Sequence, residues 1–222
     1  MFYSYFDPTM ILLIPALLIS FWAYNKYTKV RTINGYSGQQ VARMMLDEAG
    51  LFDVRIEQIN SKLGDHYDPS SRVLRLSPEV YSGSTISSAG IAAHEVGHAI
   101  QHKESYKPLT IRNSIVPVVN FSSSISWILF FLGIVMGFQG LTKLGIVLFS
   151  AVVVFQLITL PVEFDASTRA LNILRSRGIL YGDEVKGAEK VLNAAAMTYV
   201  AATLMAISQL IRLIAISNSR DD

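Results

Sequence analysis

The residues best equipped for chemistry lie together at His94-Glu95-Val96-Gly97-His98, an HExxH pattern. Residues four apart share one face of an α-helix with β-carbons about 6 Å apart, so the two imidazoles can converge on one zinc ion at about 2.0–2.1 Å. Glu95 sits about 100° further round the helix. That offset directs it at a zinc-activated water, which is the place of a general base in a zinc-dependent peptidase. The alternative is a plain amphipathic helix whose apolar face is Ile91, Ala92, Val96 and Ile100, with small Gly97 where packing is close. A histidine pair on such a buried face would need other partners.

A catalytic zinc site takes three protein ligands and leaves one position open. The chain has no cysteine, which excludes disulfides, thiolate zinc sites and a cysteine nucleophile, so the third ligand must be His, Asp or Glu. His102 shares the face of the other two, but eight residues from His94 is about 12 Å along a helix, too far for one ion. The longer metzincin pattern is absent, because Gln101 and Glu104 stand at its continuing positions. Glu163, in LPVEFDASTRAL, is the better candidate. Pro161 reads as the end of one helix and the start of another, so Glu163 has a competing reading as an N-terminal carboxylate favoured by the helix dipole. Asp165, two residues on, faces nearly the opposite way and should not share the role of Glu163.

The elements that must position these residues are mostly apolar. The 222 residues are 51% hydrophobic and 16% charged, against roughly 25% charged in soluble domains. The formal net charge of +2 is spread along the chain, so no basic stripe implies a nucleic-acid partner. Four stretches approach the roughly 20 apolar residues that a bilayer requires: 10–24, 116–138, 144–162 and 194–216. The first lies between Tyr3, Tyr5 and Phe6 and the group Trp22, Tyr24, Lys26 and Tyr27, the flanks of a membrane anchor. Asp7 before it and FWAYNK after it argue against a cleaved signal peptide, so we read it as retained. The second and third form a helical hairpin, and the fourth carries Gln209 and Arg212 near its end.

Residues 26–112 hold eleven Lys and Arg and residues 163–193 hold five, whereas residues 1–9 have none and Lys143 stands alone in the hairpin loop. The positive-inside rule then places both polar segments in the cytoplasm. His94 and Glu163 are separated by two spans, which return the chain to the same face. Within the first polar segment Ser37 caps a helix that stops at Gly50, residues 73–77 alternate as a short strand, and Ser87 or Ser88 opens the HExxH helix. The expected organisation is an anchor (1–28), a catalytic segment (29–112), a transmembrane hairpin (113–162), a third-ligand helix and connection (163–193), and a last transmembrane helix with its tail (194–222).

Four blocks of this sequence resemble the YugP-like neutral zinc metallopeptidases of bacterial membranes: GDHYDPSSRVLRLSPEVY at 64–81, AAHEVGHAIQH at 92–102, LPVEFDASTRAL at 160–171 and LNAAAMTYVAA at 192–202. The resemblance covers nearly the whole chain and implies a zinc-dependent membrane peptidase with His94 and His98 as ligands and Glu95 as catalytic base. The Glu163 segment is also similar to the third-ligand helix of the HtpX type of membrane gluzincin, which reads ExxxD. That similarity favours Glu163 as a ligand, but Ser167 replaces the aspartate expected to orient a zinc histidine, leaving Asp165 or Asp68 as candidate substitutes.

The fold expected is mainly α, a multi-pass membrane protein with about four transmembrane helices and a small α+β zincin-like catalytic region at the membrane surface. The function expected is peptide-bond hydrolysis with one Zn2+ per chain, acting on a peptide or protein substrate at the cytoplasmic face of the bacterial cell membrane. An extended substrate could pair along residues 73–77, and His66, Tyr67, Tyr81 and Tyr199 are candidate oxyanion partners. The alternatives are a catalytically silent metal-binding scaffold or chaperone and a site-2-type intramembrane protease. Intact Glu95 argues against the first. Polar Ser84, Ser87, Ser88 and Gln101 around the motif, and the absence of an LDG motif, argue against the second. A channel or transporter has neither paired intramembrane carboxylates nor broken-helix repeats to support it.

Overall fold

The computed structural model describes residue 11 and residues 13–219. Its elements, in chain order, are α1 (Leu13–Tyr27), α2 (Gly38–Glu48), β1 (Arg55–Gln58), β2 (His66–Asp68), β3 (Val73–Leu76), α3 (Pro78–Ser82), α4 (Ile86–Lys103), α5 (Lys107–Met136), α6 (Gln139–Ser176) and α7 (Asp183–Asn218). The chain is therefore mainly helical with one small sheet. It divides into two compact units, one of residues 17–107 and 162–197, the other drawn from residues 1–16, 108–161 and 198–222.

The first unit has an apolar core. Ser37 accepts from the Gln40 backbone N–H while the Gln40 side chain accepts from the Ser37 N–H, a reciprocal cap that starts α2. Gly50, at φ +65°, supplies the left-handed residue that ends it. Between those limits Val41, Met45 and Leu46 are buried against Leu74, Leu76, Val80 and the small residues of α4. β3 lies in the middle of the sheet, parallel to β1 and antiparallel to β2. Its two edges are thus taken by neighbouring strands, which corrects the expectation that residues 73–77 offer an edge to substrate. Val73, Leu74 and Leu76 are all fully buried, so the strand is covered on both faces rather than one.

α4 starts earlier than its serines suggest. The cap is Thr85, whose hydroxyl accepts from the Ser88 N–H, and Ser87 and Ser88 fall inside the first turn. Ala89, Ala92, Ala93, Val96 and Ala99 are fully buried along the helix. These short side chains let other helices approach its axis closely.

In the second unit Phe130, Phe149, Val153, Ala206 and Leu213 form a separate buried cluster, with Trp127 edge-on to Phe149. A Cβ on Gly133 would come within 2.5 Å of the Thr142 backbone nitrogen, and one on Gly145 within 2.7 Å of the Ser126 carbonyl oxygen. Small residues at such crossings are how helices pack where lipid removes the hydrophobic drive. Val135, Val147 and Phe131 meanwhile point outward, up to 83% exposed. α5, α6 and α7 are each long and apolar enough to cross a membrane. Of the stretch 10–24 read as a first span, residue 11 and residues 13–24 are described, the latter within the 15-residue α1, and residue 10, residue 12 and the aromatic residues before them lie outside the described residues.

α6 runs unbroken from Gln139 to Ser176 through Pro161, which corrects the reading of two helices meeting there. Proline removes one N–H and crowds the preceding turn, which commonly stops a helix in water, but long apolar helices accommodate it. Glu163 consequently lies deep inside a helix, and the dipole explanation for its presence falls away. α7 likewise begins at Asp183, within the polar segment, and continues without interruption into its apolar stretch.

Candidate metal centre

Every residue of the centre belongs to the first unit. α4 supplies His94, Glu95 and His98, and the C-terminal part of α6 supplies Glu163. The two helices touch backbone to backbone beside the site: a Cβ on Gly97 would stand 2.5 Å from the Ala166 carbonyl oxygen. Only glycine permits that approach. It lies next to His98 on one helix and next to Ser167 on the other.

The Nε2 atoms of His94 and His98 stand 3.2 and 3.7 Å from the same Glu163 oxygen, Oε2. The rings are set edge to face with centroids 4.7 Å apart. Donors bound tetrahedrally at 2.0–2.1 Å lie about 3.3 Å from one another, so the observed spacing suits a zinc ion. Among the described residues, His94, His98 and Glu163 form the group able to hold a metal, with donor atoms all within 4.8 Å of one another. Two imidazoles and a carboxylate are also the donor set of a catalytic, rather than purely structural, zinc site.

Glu95 is almost fully buried, and its Oε2 accepts from the Tyr67 backbone N–H at 3.1 Å. Burial pushes its carboxyl above the usual carboxylate range, against the opposing pull of His94 and His98. A carboxyl so tuned binds a proton more readily, which suits a group that must take one and pass it on.

The far side of each histidine ring is also engaged. His94 Nδ1 lies 3.1 Å from Ser167 Oγ, and His98 Nδ1 lies 3.0 Å from Gln101 Oε1. Gln101 is fully buried, and its amide nitrogen donates to the Val162 carbonyl and to Asp165 Oδ2, both at 2.8 Å. Asp165 accepts from Arg169 Nε at 2.6 Å, and Arg169 also pairs with Glu104.

The family described as "Putative neutral zinc metallopeptidase" matches residues 5–218. This chain belongs to that family. A relative from Bacillus subtilis (strain 168), named "Putative membrane protease YugP", is 50% identical over 219 residues, covering 95% of this chain and 97% of its own. No solved structure matches.

In this member of the zinc metallopeptidase family, the other residues singled out by sequence are placed as follows. His102 stands apart from the three converging groups, with its Nδ1 3.0 Å from the Tyr67 hydroxyl. His66 is exposed on β2 with Nδ1 against the Gly64 carbonyl, and Tyr81 packs on the core. Tyr199 lies on the part of α7 that belongs to the second unit. Asp68 accepts from Ser70, Ser71 and Arg75, so it is engaged away from the ligand histidines. Asp165 reaches His98 only through Gln101. The position where ExxxD would have its aspartate still reaches the candidate site, because Ser167 itself contacts His94. Gln101 is visible in the sequence as an uncharged polar residue one turn beyond His98, where it marks a departure from the metzincin pattern and a polar end to the apolar stretch, but nothing in its spacing signals a contact with His98.

Proposed function

We propose that the chain is a membrane-embedded zinc metallopeptidase that hydrolyses peptide bonds, with His94, His98 and Glu163 holding one Zn2+ and Glu95 acting as general base. The observation that carries this reading is the convergence of both histidine Nε2 atoms on one oxygen of Glu163, with the Glu95 carboxylate adjoining on the same helix. Zinc in a His2Glu set supplies Lewis acidity, polarising a carbonyl and bringing the pKa of water to about 7. Glu95 accepts the proton from the attacking water and returns it to the departing amine. Tyr67 N–H, donating to Glu95 from β2, holds the carboxylate in position.

Substrate in extended form would meet the outer edge of β2, since β3 is paired on both sides. The three long apolar helices, joined by residues 10–24 as a fourth span, would carry the chain in the bacterial cell membrane. Glu163 follows Pro161 by two residues, about 3 Å along α6. With cations concentrated in residues 26–112 and 163–193, the catalytic region would lie at the cytoplasmic surface.

The test is cleavage of unstructured soluble peptides by detergent-purified protein and its Glu95→Gln variant, with zinc measured in both. The reading predicts zinc in both and a rate about 10^2- to 10^4-fold lower in the variant. Equal rates would overturn Glu95 as the base. Zinc-loaded wild type without peptide cleavage, yet with biological activity that survives Glu95→Gln, would favour the scaffold reading.

A further inference from the structure

Both ligand histidines have a partner behind them, but the two partners constrain their rings differently. A serine hydroxyl can donate or accept, so Ser167 is compatible with either tautomer of His94. Gln101 has no such freedom. Its amide is flanked on one side by the Val162 carbonyl oxygen and by an oxygen of Asp165, which is itself paired with Arg169. Neither group offers a hydrogen, so the amide NH2 must face them and both of its donors are used. The amide oxygen is then turned towards His98 Nδ1, 3.0 Å away. An amide oxygen only accepts, so Nδ1 must carry the proton. In a neutral imidazole that leaves the lone pair on Nε2, the atom aimed at the Glu163 carboxylate and the centre of the site.

The same amide also joins the two halves of the centre. Val162 and Asp165 bracket Glu163 on α6, one residue before it and two after, while His98 and Gln101 are one turn apart on α4. The complete burial of Gln101 keeps water from replacing any of its three hydrogen bonds.

We propose that Gln101 is the positioning residue of the metal centre: its side-chain amide fixes His98 in the tautomer and orientation that present Nε2 to the metal, and ties that ring to the backbone segment carrying Glu163. This inference rests on the His94, His98 and Glu163 site. It predicts that two supports of similar length, Ser167 and Gln101, have unequal weight, because only one of them dictates where its histidine's proton sits.

The test uses full-length protein in detergent and three variants, Gln101→Met, Gln101→Glu and Glu163→Ala. Methionine fills nearly the same volume without hydrogen bonds, so packing is largely kept. Glutamate can still accept from His98 but cannot donate to Val162 or Asp165. Zinc dissociation constants are measured by chelator competition, folding by thermal melting, and the hydrogen bonding of His98 Nδ1–H in zinc-loaded protein from its proton shift and solvent-exchange rate in labelled histidine. Gln101→Met is expected to bind zinc about 10- to 100-fold more weakly while still melting cooperatively. Its His98 Nδ1–H signal in zinc-loaded protein should shift upfield and exchange faster with solvent than in wild type, where Gln101 Oε1 accepts from it. Gln101→Glu should recover part of the affinity at neutral pH if acceptance from Nδ1 is the main contribution. Unchanged zinc affinity and an unchanged His98 signature in folded Gln101→Met would overturn the proposal. Wild type that binds no zinc, or Glu163→Ala that binds it as tightly as wild type, would instead overturn the site on which it rests.

Discussion

Helix α4 and the C-terminal part of α6 contribute to one centre by opposite routes. α4 brings the two histidines of the candidate site, Glu95 and Gln101 within eight consecutive residues, on a short helix with a defined cap and a lining of alanines. α6 brings Glu163 and Ser167 after a long apolar run that includes a proline, 69 and 73 residues away in sequence from the histidine they contact. The first half is set by local helical spacing alone. The second is set by where two helices cross, and that crossing is defined by the contact between Gly97 and Ala166. Chemistry written compactly in one helix is therefore only as good as the packing that brings the other helix to it.

The largest effect on this pairing should come from the crossing itself. Gly97→Ala would place a Cβ 2.5 Å from the Ala166 carbonyl oxygen, a backbone atom that cannot move aside cheaply. A cost of about 1–3 kcal/mol is expected, read as a lower melting temperature, together with weaker zinc binding because Glu163 retreats with α6. A variant that melts lower but keeps wild-type zinc affinity would show that the two helices are held together at the site by something other than this contact. A smaller effect is expected from Ser167→Ala. It removes one hydrogen bond to His94, about 1 kcal/mol or roughly fivefold in zinc affinity, and should fall short of the loss at Gln101. The reverse order would place the dominant support on the α6 side. Smallest of all should be Pro161→Ala. Because α6 passes through this position without a break, alanine should leave zinc stoichiometry intact and the melting temperature no lower than wild type. Loss of zinc would mean that Glu163 depends on the proline for its placement.

The same contrast explains what could be read from sequence. The HExxH helix, the Ser37 cap, the stop at Gly50, the strand at 73–76 and the hairpin of apolar helices all follow from spacing within a few residues, and each was legible. Glu163 could be nominated from chain topology and from a resemblance. Its position inside a continuous helix could not, because Pro161 carries a local signal for a boundary that an apolar environment overrides. The central place of β3 depends on pairing between distant segments, and an alternating pattern reports the strand without its neighbours. The cap of α4 is Thr85 rather than Ser87 or Ser88, because hydroxyl residues close together in sequence offer equivalent capping signals and only the fold selects among them. Gln101 and Ser167 were hidden for a more general reason: a polar residue reveals its partner only when the fold brings the partner to it. What distinguishes Gln101 is complete burial with every polar atom engaged, a property of the folded chain and not of its spelling.

The central claim is that α4 and α6 together form one metal site. Its most direct test is zinc per chain, by elemental mass spectrometry, in detergent-purified wild type and in Glu163→Ala prepared alongside it. The account predicts close to one zinc per wild-type chain and a clear loss in the variant, with both proteins folded. Equal zinc in the two would contradict it, since the α4 histidines would then be holding their metal without the carboxylate of α6.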